Sequence, residues 1–463
     1  MWTKLVSFLY LSINIVNSAP VINPRATLQL PSEDPFYSPP TGFEDAEVGT
    51  VLRLKKIDNP FGIFVFEVNV QAVYQILVRS EDTFHQPIAI VSTLFIPQDS
   101  DPTKLVSYQI AEDTASENCA PSYAMQLDSS PLSWVTPQLE LLLFSAALEE
   151  GYNVIVPDHE GPKATFVAGY SAGYAVLNSI RGVFNSGAVQ SNYSEAEIVL
   201  WGYSGGGFAS GWAASLQPTY APELNLVGTA MGGVPVDLIS SAKHLMGTVF
   251  AGFGISAIVG LTHEYPELKE LVKELVYPDK YEEYTYVENI CLAQILYEYA
   301  YSTFEEYSSE GEGVYTIPLV VNITDENNLS KNGMFPACPI LIYSSVNDEI
   351  IPINGTDILY DLYCKNGVSV EYRKDSLSEH IITAVSGSGL ALNFIKDRFN
   401  GIKANSECQV STILSDFIYP DSFLGFGDII ISSLDIFQGK ELGPSNSSSS
   451  LLESIETLLK RKE

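Results

Sequence analysis

Two hydrophobic rhythms divide the chain. Between about residues 51 and 96, apolar side chains come in short runs, Phe61–Val70, Val73–Arg79 and Ile88–Ile96, which read as antiparallel strands. From Lys104 onward, short apolar runs alternate with longer stretches of helical period. Lys104–Ile110 reads as a strand, Pro137–Glu150 as a helix stopped at Gly151, and Tyr152–Val156 as a strand halted by Pro157 and Asp158. Ala172–Val183 is helical, Glu197–Trp201 a strand, Phe208–Leu216 a helix and Leu224–Met231 a strand again. Strand–helix alternation of this kind predicts an α/β fold with a mostly parallel central sheet, covered by helices on both faces.

The alternation then lapses for roughly a hundred residues before strands return at Pro339–Ser344 and Val368–Arg373, the latter expected to be the last. Ser240–Leu261 is mostly apolar but carries Gly247, Gly252, Gly254 and Gly260. Its most apolar part, Leu245–Leu261, is slightly short for a bilayer and interrupted by glycines, and reads as a helix pair over the core, not a membrane span. Leu268–Val276 and Val287–Tyr301 read as helices. A helical block set between two strands of one sheet is the pattern of a cap. The expected organisation is a core in two parts, residues 19–235 and 326–440, with a cap over 236–325 and a low-complexity tail over 441–463.

The ends of the chain change the picture. Lys4, the apolar run Leu5–Val16 and the small residues Ser18 and Ala19 form the pattern of a secretory signal peptide, residues 1–18. Five N-x-S/T sequons, at Asn192, Asn322, Asn328, Asn354 and Asn446, are consistent with export and glycosylation. The stretch Gly443–Ser450 reads as a flexible linker and Leu451–Lys460 as a short closing helix. Five cysteines in an oxidising compartment allow two bridges and one free thiol, with the pairing open; no C-x-x-C spacing supports a redox or zinc site. The chain has 463 residues with 56 acidic against 24 basic side chains, net −32, a balance that repels phosphate backbones and excludes a nucleic-acid partner.

The G-x-S-x-G pattern, which works as a sharp strand-to-helix turn, occurs twice. Gly169-Tyr170-Ser171-Ala172-Gly173 follows a loop, and Ser171 is expected to cap a helix. Gly202-Tyr203-Ser204-Gly205-Gly206 follows the apolar strand Ile198–Trp201 and precedes a small-residue helix, so Ser204 is the expected nucleophile. Of the histidines after it, His244 and His263 fall in the expected cap; His380 follows the strand Val368–Arg373 and is the expected base. The orienting acid should follow Pro339–Ser344. Asp348 is chosen, and its neighbour Glu349 is a rival that adjacency keeps open. Asp357 and Asp361 read as solvated helix-face acids, and Asp158 as the brace of a loop. An oxyanion needs two backbone donors: Gly205 is one, and the loop Ala111–Thr114 after Lys104–Ile110 should supply the other, with Asp113 favoured there by position and by the resemblance that follows.

The segments AEDTASENCAPSY at Ala111–Tyr123, VPDHEGPKATF at Val156–Phe166, Gly202–Gly207 and Asp348–Pro352 resemble the secretory lipases of yeasts, the lipase A type of α/β-hydrolase, and the similarity spans about residues 30 to 430. The resemblance implies an α/β-hydrolase with a helical lid in the inserted block and a flap near the C-terminus. It implies a triad of Ser204, Asp348 and His380, an oxyanion hole of Asp113 and Gly205, and bridges Cys119–Cys291 and Cys364–Cys408 that leave Cys338 free. The Ser-rich, basic-ended tail departs from the family pattern. The expected activity is that of a secreted, extracellular triacylglycerol lipase, working through an acyl-enzyme on acylglycerols or other lipid esters at a lipid–water interface. It needs no metal or organic cofactor, has no transmembrane segment, and would transfer acyl groups where another alcohol replaces water. A serine peptidase of the same fold would be expected to carry a charged clamp for a peptide terminus, and none is found. A non-enzymatic binding module would typically have lost the serine or the histidine.

Overall fold

The computed structural model describes residues 28–58, 60–133 and 135–444. The expected signal peptide, the sequon at Asn446 and the tail from residue 445, with its expected helix, lie outside the described residues. Ten strands form one sheet: β1 (Val51–Lys56), β2 (Ala72–Glu81), β3 (Pro87–Ile96), β4 (Asp101–Gln109), β5 (Tyr152–Pro157), β6 (Glu197–Tyr203), β7 (Leu226–Gly232), β8 (Ile340–Ser345), β9 (Val370–Asp375) and β10 (Gln409–Ile413). Their order is β1-β2-β3-β5-β4-β6-β7-β8-β9-β10. The first three pair antiparallel, β3 meets β5 antiparallel, and every pairing from β5 to β10 is parallel.

The parallel strands read as continuous apolar runs because both of their faces are buried. On β6, Ile198 and Leu200 enter one core while Val199, Trp201 and Tyr203 enter the other; on β8, Ile340 and Ile342 oppose Leu341 and Tyr343 in the same way. The helices Gly169–Asn185 and Gly205–Tyr220 pack on the first face, and Val135–Glu149, Ser388–Phe399 and Pro420–Gln438 on the second.

Several expectations shift. Phe61–Val70 adds no strand to the sheet: Phe64 takes a positive φ of 57°, and Gly62–Ile63 and Phe66–Glu67 pair only with each other. The apolar run of the insert is two helices, Leu238–Leu245 and Ala251–Glu264, parted at Gly247 where φ is +77°. No helix among the described residues is long and apolar enough to cross a membrane. The expected helix Val287–Tyr301 shrinks to Leu292–Glu298 after a 3-10 turn, because Cys291 is held extended and disulfide-bonded just before it. Val370–Asp375 is followed by one more parallel strand, β10, whose mostly exposed residues carry no core-facing pattern. Between β7 and β8 the described chain forms helices and turns only.

Candidate active site

The four chemistry-bearing positions all follow the C-terminal ends of parallel strands, the edge where open α/β sheets bind ligands. Asp113 follows β4, Ser204 follows β6, Asp348 follows β8 and His380 follows β9. Ser204 sits at φ 56°, ψ −122°, a strained backbone for a residue with a Cβ, between β6 and the helix Gly205–Tyr220. The surrounding glycines are steric necessities. A Cβ on Gly206 would lie 1.9 Å from Gln109 O, and one on Gly202 2.3 Å from Gly206 O. The Ser204 N–H donates to Gly232 O on β7, which fixes the turn to the sheet.

His380 Nε2 lies 3.0 Å from Ser204 Oγ, and its Nδ1 lies 2.7 Å from Asp348 Oδ2. A carboxylate only accepts, so Nδ1 carries the ring proton and the Nε2 lone pair faces the hydroxyl. The second oxygen of Asp348 accepts the N–H groups of Ile350 and Ile351, at 3.0 and 2.6 Å. Glu349 points elsewhere: it accepts the backbone N–H of His380. The two adjacent acids thus hold one histidine by different atoms. Burial works against the His380 cation, but the charge and hydrogen bond of Asp348, aided by Glu349 and Asp113, outweigh it and hold the imidazole above its usual 6.5.

Asp113 is buried at φ +50°, and its Oδ1 would lie 2.1 Å from a Cβ built on Gly205, so the two expected oxyanion positions adjoin. Burial lifts its carboxyl to about 7, against the lowering charge of His380. The loop before it hangs on further buried acids: Ala111 N–H donates to Glu140, and Glu112 accepts the N–H of His159. Burial pushes Glu160 well above the carboxylate range; the charge of Asp113 adds to this, and the backbone amides of Thr114 and Asp113 oppose it.

Sequence reasoning missed several supporting groups. Tyr203 O–H donates to His380 O, Asn347 Nδ2 bridges to Ser376 O, and Ser345 Oγ donates to Ser378 O, so the acid and histidine loops are tied together. Tyr203 and Ser345 are the last residues of β6 and β8 and Asn347 lies in the loop after β8, and nothing in their order along the chain marks them until the fold brings β6, β8 and β9 to one edge. Asp158 accepts the N–H and the hydroxyl of Ser122, as expected of a loop brace. Asp357 lies on a helix face and pairs with Lys374, while Asp361 lies on the same helix.

Ser171 is not a cap. It is buried within the first turn of Gly169–Asn185, whose N-cap is Ala168. The glycines around it permit helix packing: a Cβ on Gly169 would lie 2.1 Å from Trp212, and one on Gly173 2.5 Å from Leu216, both on the helix after Ser204. Disulfides join Cys119 to Cys291 and Cys364 to Cys408, and Cys338 is a buried free thiol. Of the sequons, Asn192, Asn322 and Asn354 are exposed. Asn328 is buried, its Oδ1 accepting from Ser330 N and Oγ, and a glycan there does not fit the folded chain.

An apolar cavity of about 90 Å³ lies in the helical insert, lined by Leu238, Gly254, Ala257, Ile258 and Leu261 together with Val167. Val167 is next to Phe166, whose ring would lie 3.6 Å from a Cβ on Gly205.

A mostly parallel sheet, helices on both faces and a serine–histidine–aspartate relay on its C-terminal edge are the marks of the α/β-hydrolase class. Within that class the chain matches the secretory lipase family over residues 125–407, and it belongs to that family. It is similar to "Lipase A" of Arthroderma benhamiae, 42% identical over 89% of each chain. "Lipase 4" of Candida albicans is 41% identical over 89% of this chain and 91% of its own. Among solved structures, Candida antarctica lipase A in its closed state superposes with a TM-score of 0.79 at 27% identity, covering 90% of this chain and 99% of its own. The esterase LipA of Xanthomonas oryzae, at 15% identity and a TM-score of 0.59, shares the fold, covering 77% of this chain and 100% of its own.

Proposed function

We propose that this chain is a secreted lipase that hydrolyses acylglycerol esters, triacylglycerols among them, through an acyl-enzyme on Ser204. His380 Nε2 takes the Ser204 proton as Oγ attacks the ester carbonyl, and Asp348 holds the ring and stabilises its cation. The Gly205 N–H, at the start of a 16-residue helix, and the Asp113 N–H, on the adjoining loop, receive the oxyanion. His380 returns the proton to the departing alcohol. Water then attacks the acyl-enzyme by the same route and frees the fatty acid; another alcohol in its place gives acyl transfer.

The observation that carries this reading is the relay itself: Asp348 to His380 at 2.7 Å and His380 to Ser204 at 3.0 Å, on a strained turn. The names of the relatives support lipid esters as the substrate class, and the run Leu5–Val16 supports export through residues 1–18. Residues 236–325 act as a cap whose apolar cavity receives acyl chain, and Asn192, Asn322 and Asn354 are the sequons open to glycosylation. The test is labelling by a fluorophosphonate together with release of fatty acid from emulsified triacylglycerol. Both should occur in the wild type and vanish in Ser204→Ala. Retention of both by Ser204→Ala would overturn the assignment.

A further inference from the structure

Beyond the site, one surface of the molecule has its polarity inverted. After β8, β9 and β10, on the same sheet edge as Ser204, stand the exposed side chains of Val346, Leu377 and Leu414. The helix that begins at His380, His380–Ser386, turns Ile381, Ile382 and Val385 to solvent while burying Thr383 and Ser386. It packs on the turn Asp416–Ile418. There Asp416 and Ser422 are fully buried, while Ile418 is 67% and Leu424 70% exposed. A soluble surface normally does the reverse, and contiguous exposed apolar area marks an interaction site.

The inversion is braced from within. Ser422 Oγ donates to Asp416, Arg373 pairs with Asp421 at 2.8 Å, and the Arg373 guanidinium stacks on Tyr419. Gly425 approaches so closely that its Cβ would lie 2.1 Å from Gly389 O, which locks the segment to the helix following that of His380. The outward apolar side chains are therefore held by a polar interior.

We propose that this face, from Leu377 through Ile382 and Leu414 to Leu424, seats the enzyme on a neutral lipid–water interface. The proposal rests on the lipase reading of Ser204. The occupant follows from position and charge. The face is continuous with the edge at which Ser204 and His380 meet, so an interface lying on it brings insoluble ester to the relay. Residues 375–386 and 409–424 contain no lysine or arginine, and the chain is net −32, so an anionic membrane is repelled and an uncharged acylglycerol surface is not.

The experiment measures partitioning by flotation, for the full chain on a Ser204→Ala background, onto triolein emulsion and onto phosphatidylserine vesicles. It adds hydrolysis by the active enzyme of emulsified triolein and of a short ester dissolved below its solubility limit. The double variant Ile418→Glu/Leu424→Glu should bind the emulsion about 100-fold more weakly, since each apolar side chain left in water costs about tenfold. Its hydrolysis of triolein should fall in step, with the dissolved ester hydrolysed at the wild-type rate. Leu377→Glu is the second variant, should the double variant fail to fold, and Leu54→Glu, on β1 at the far side of the sheet, should change nothing. Equal partitioning of variant and wild type overturns the proposal, as does stronger binding to phosphatidylserine than to triolein. So does a wild-type dimer that the variant dissociates, which would make the face a contact between two copies. Binding that develops only on removal of residues 445–463 would make those residues its cover, and overturns it too. Absence of any Ser204-dependent hydrolysis would instead strike the lipase reading, and the partitioning would still report on the face.

Discussion

Replacing Asp348 by asparagine should cost far more than replacing its neighbour Glu349 by glutamine, and the geometry says why. In the wild type, Asp348 Oδ1 accepts two N–H groups, from Ile350 and Ile351, and Oδ2 accepts the His380 Nδ1 proton. An asparagine has one accepting oxygen. If that oxygen stays with the two backbone donors, Nδ2–H₂ faces His380 Nδ1, which must then accept. The ring proton moves to Nε2, pointing at Ser204, and no base remains. If the amide flips, two buried N–H groups lose their acceptor, at about 1–3 kcal/mol each. The wrong tautomer is therefore the stable one, and kcat on a dissolved short ester should fall by at least about 10³-fold and toward the 10⁴-fold typical of a triad acid changed to its amide. The KM should change little. Glu349→Gln keeps an oxygen for the His380 N–H and should stay within about tenfold, a net loss of no more than one charge-assisted hydrogen bond. Steady-state kinetics of both variants, with near-ultraviolet circular dichroism to establish native packing, provides the measurement. Equal losses in the two, or an Asp348→Asn enzyme within tenfold of wild type, would refute the reasoning.

Bulky side chains at Gly254 or Ala257, which line the insert cavity, should lower kcat/KM for long esters relative to short ones, by roughly fourfold for each CH₂ displaced; an unchanged long-to-short ratio in folded variants would remove the cavity from the acyl site. Ser171→Ala should keep activity within a few-fold, whereas Gly173→Leu should unfold or destabilise the protein, since even a Cβ there meets Leu216 at 2.5 Å; thermal melts and ester assays distinguish these outcomes. Burial raises the carboxyls of Asp113 and Asp158 to about 7 and of Glu140 to about 8. The folded state thus holds protons that the unfolded chain releases near pH 4, and stability should fall as pH rises from about 4 to 8, with Tm dropping by about 5 °C or more; a Tm that rises over that range would contradict this. Activity should move the other way, since His380 must be neutral and its pKa lies above 6.5; a pH–kcat/KM profile showing no ascending limb above pH 6.5 would count against His380 as the base.

The alternation of apolar runs from Lys104 to Met231 and again from Pro339 announced a parallel sheet because such strands are buried on both faces, and that condition is written in consecutive residues. The turn at Ser204 was legible for a similar reason: its glycines are local steric requirements, and they stand beside the strand that feeds them. β10 was invisible, since an edge strand with exposed side chains carries no core-facing period. The two G-x-S-x-G copies differ in what precedes them, a loop before Ser171 and a strand before Ser204, which the sequence shows, and in what their glycines pack against, the facing helix at Gly169 and Gly173 and nearby backbone at Gly202 and Gly206, which only the structure shows. The sequence could place Asp348 and Glu349 together at a strand end, but adjacency has no direction. Which carboxylate meets the imidazole depends on how the loop after β8 lies against the one after β9, and those loops are about thirty residues apart in the chain. The inverted surface around Ile418 is the extreme case. Its residues are ordinary in order along the chain, and only folding decides that Asp416 turns inward and Ile418 outward, because Arg373, on a neighbouring strand, supplies the charge that holds that segment in place.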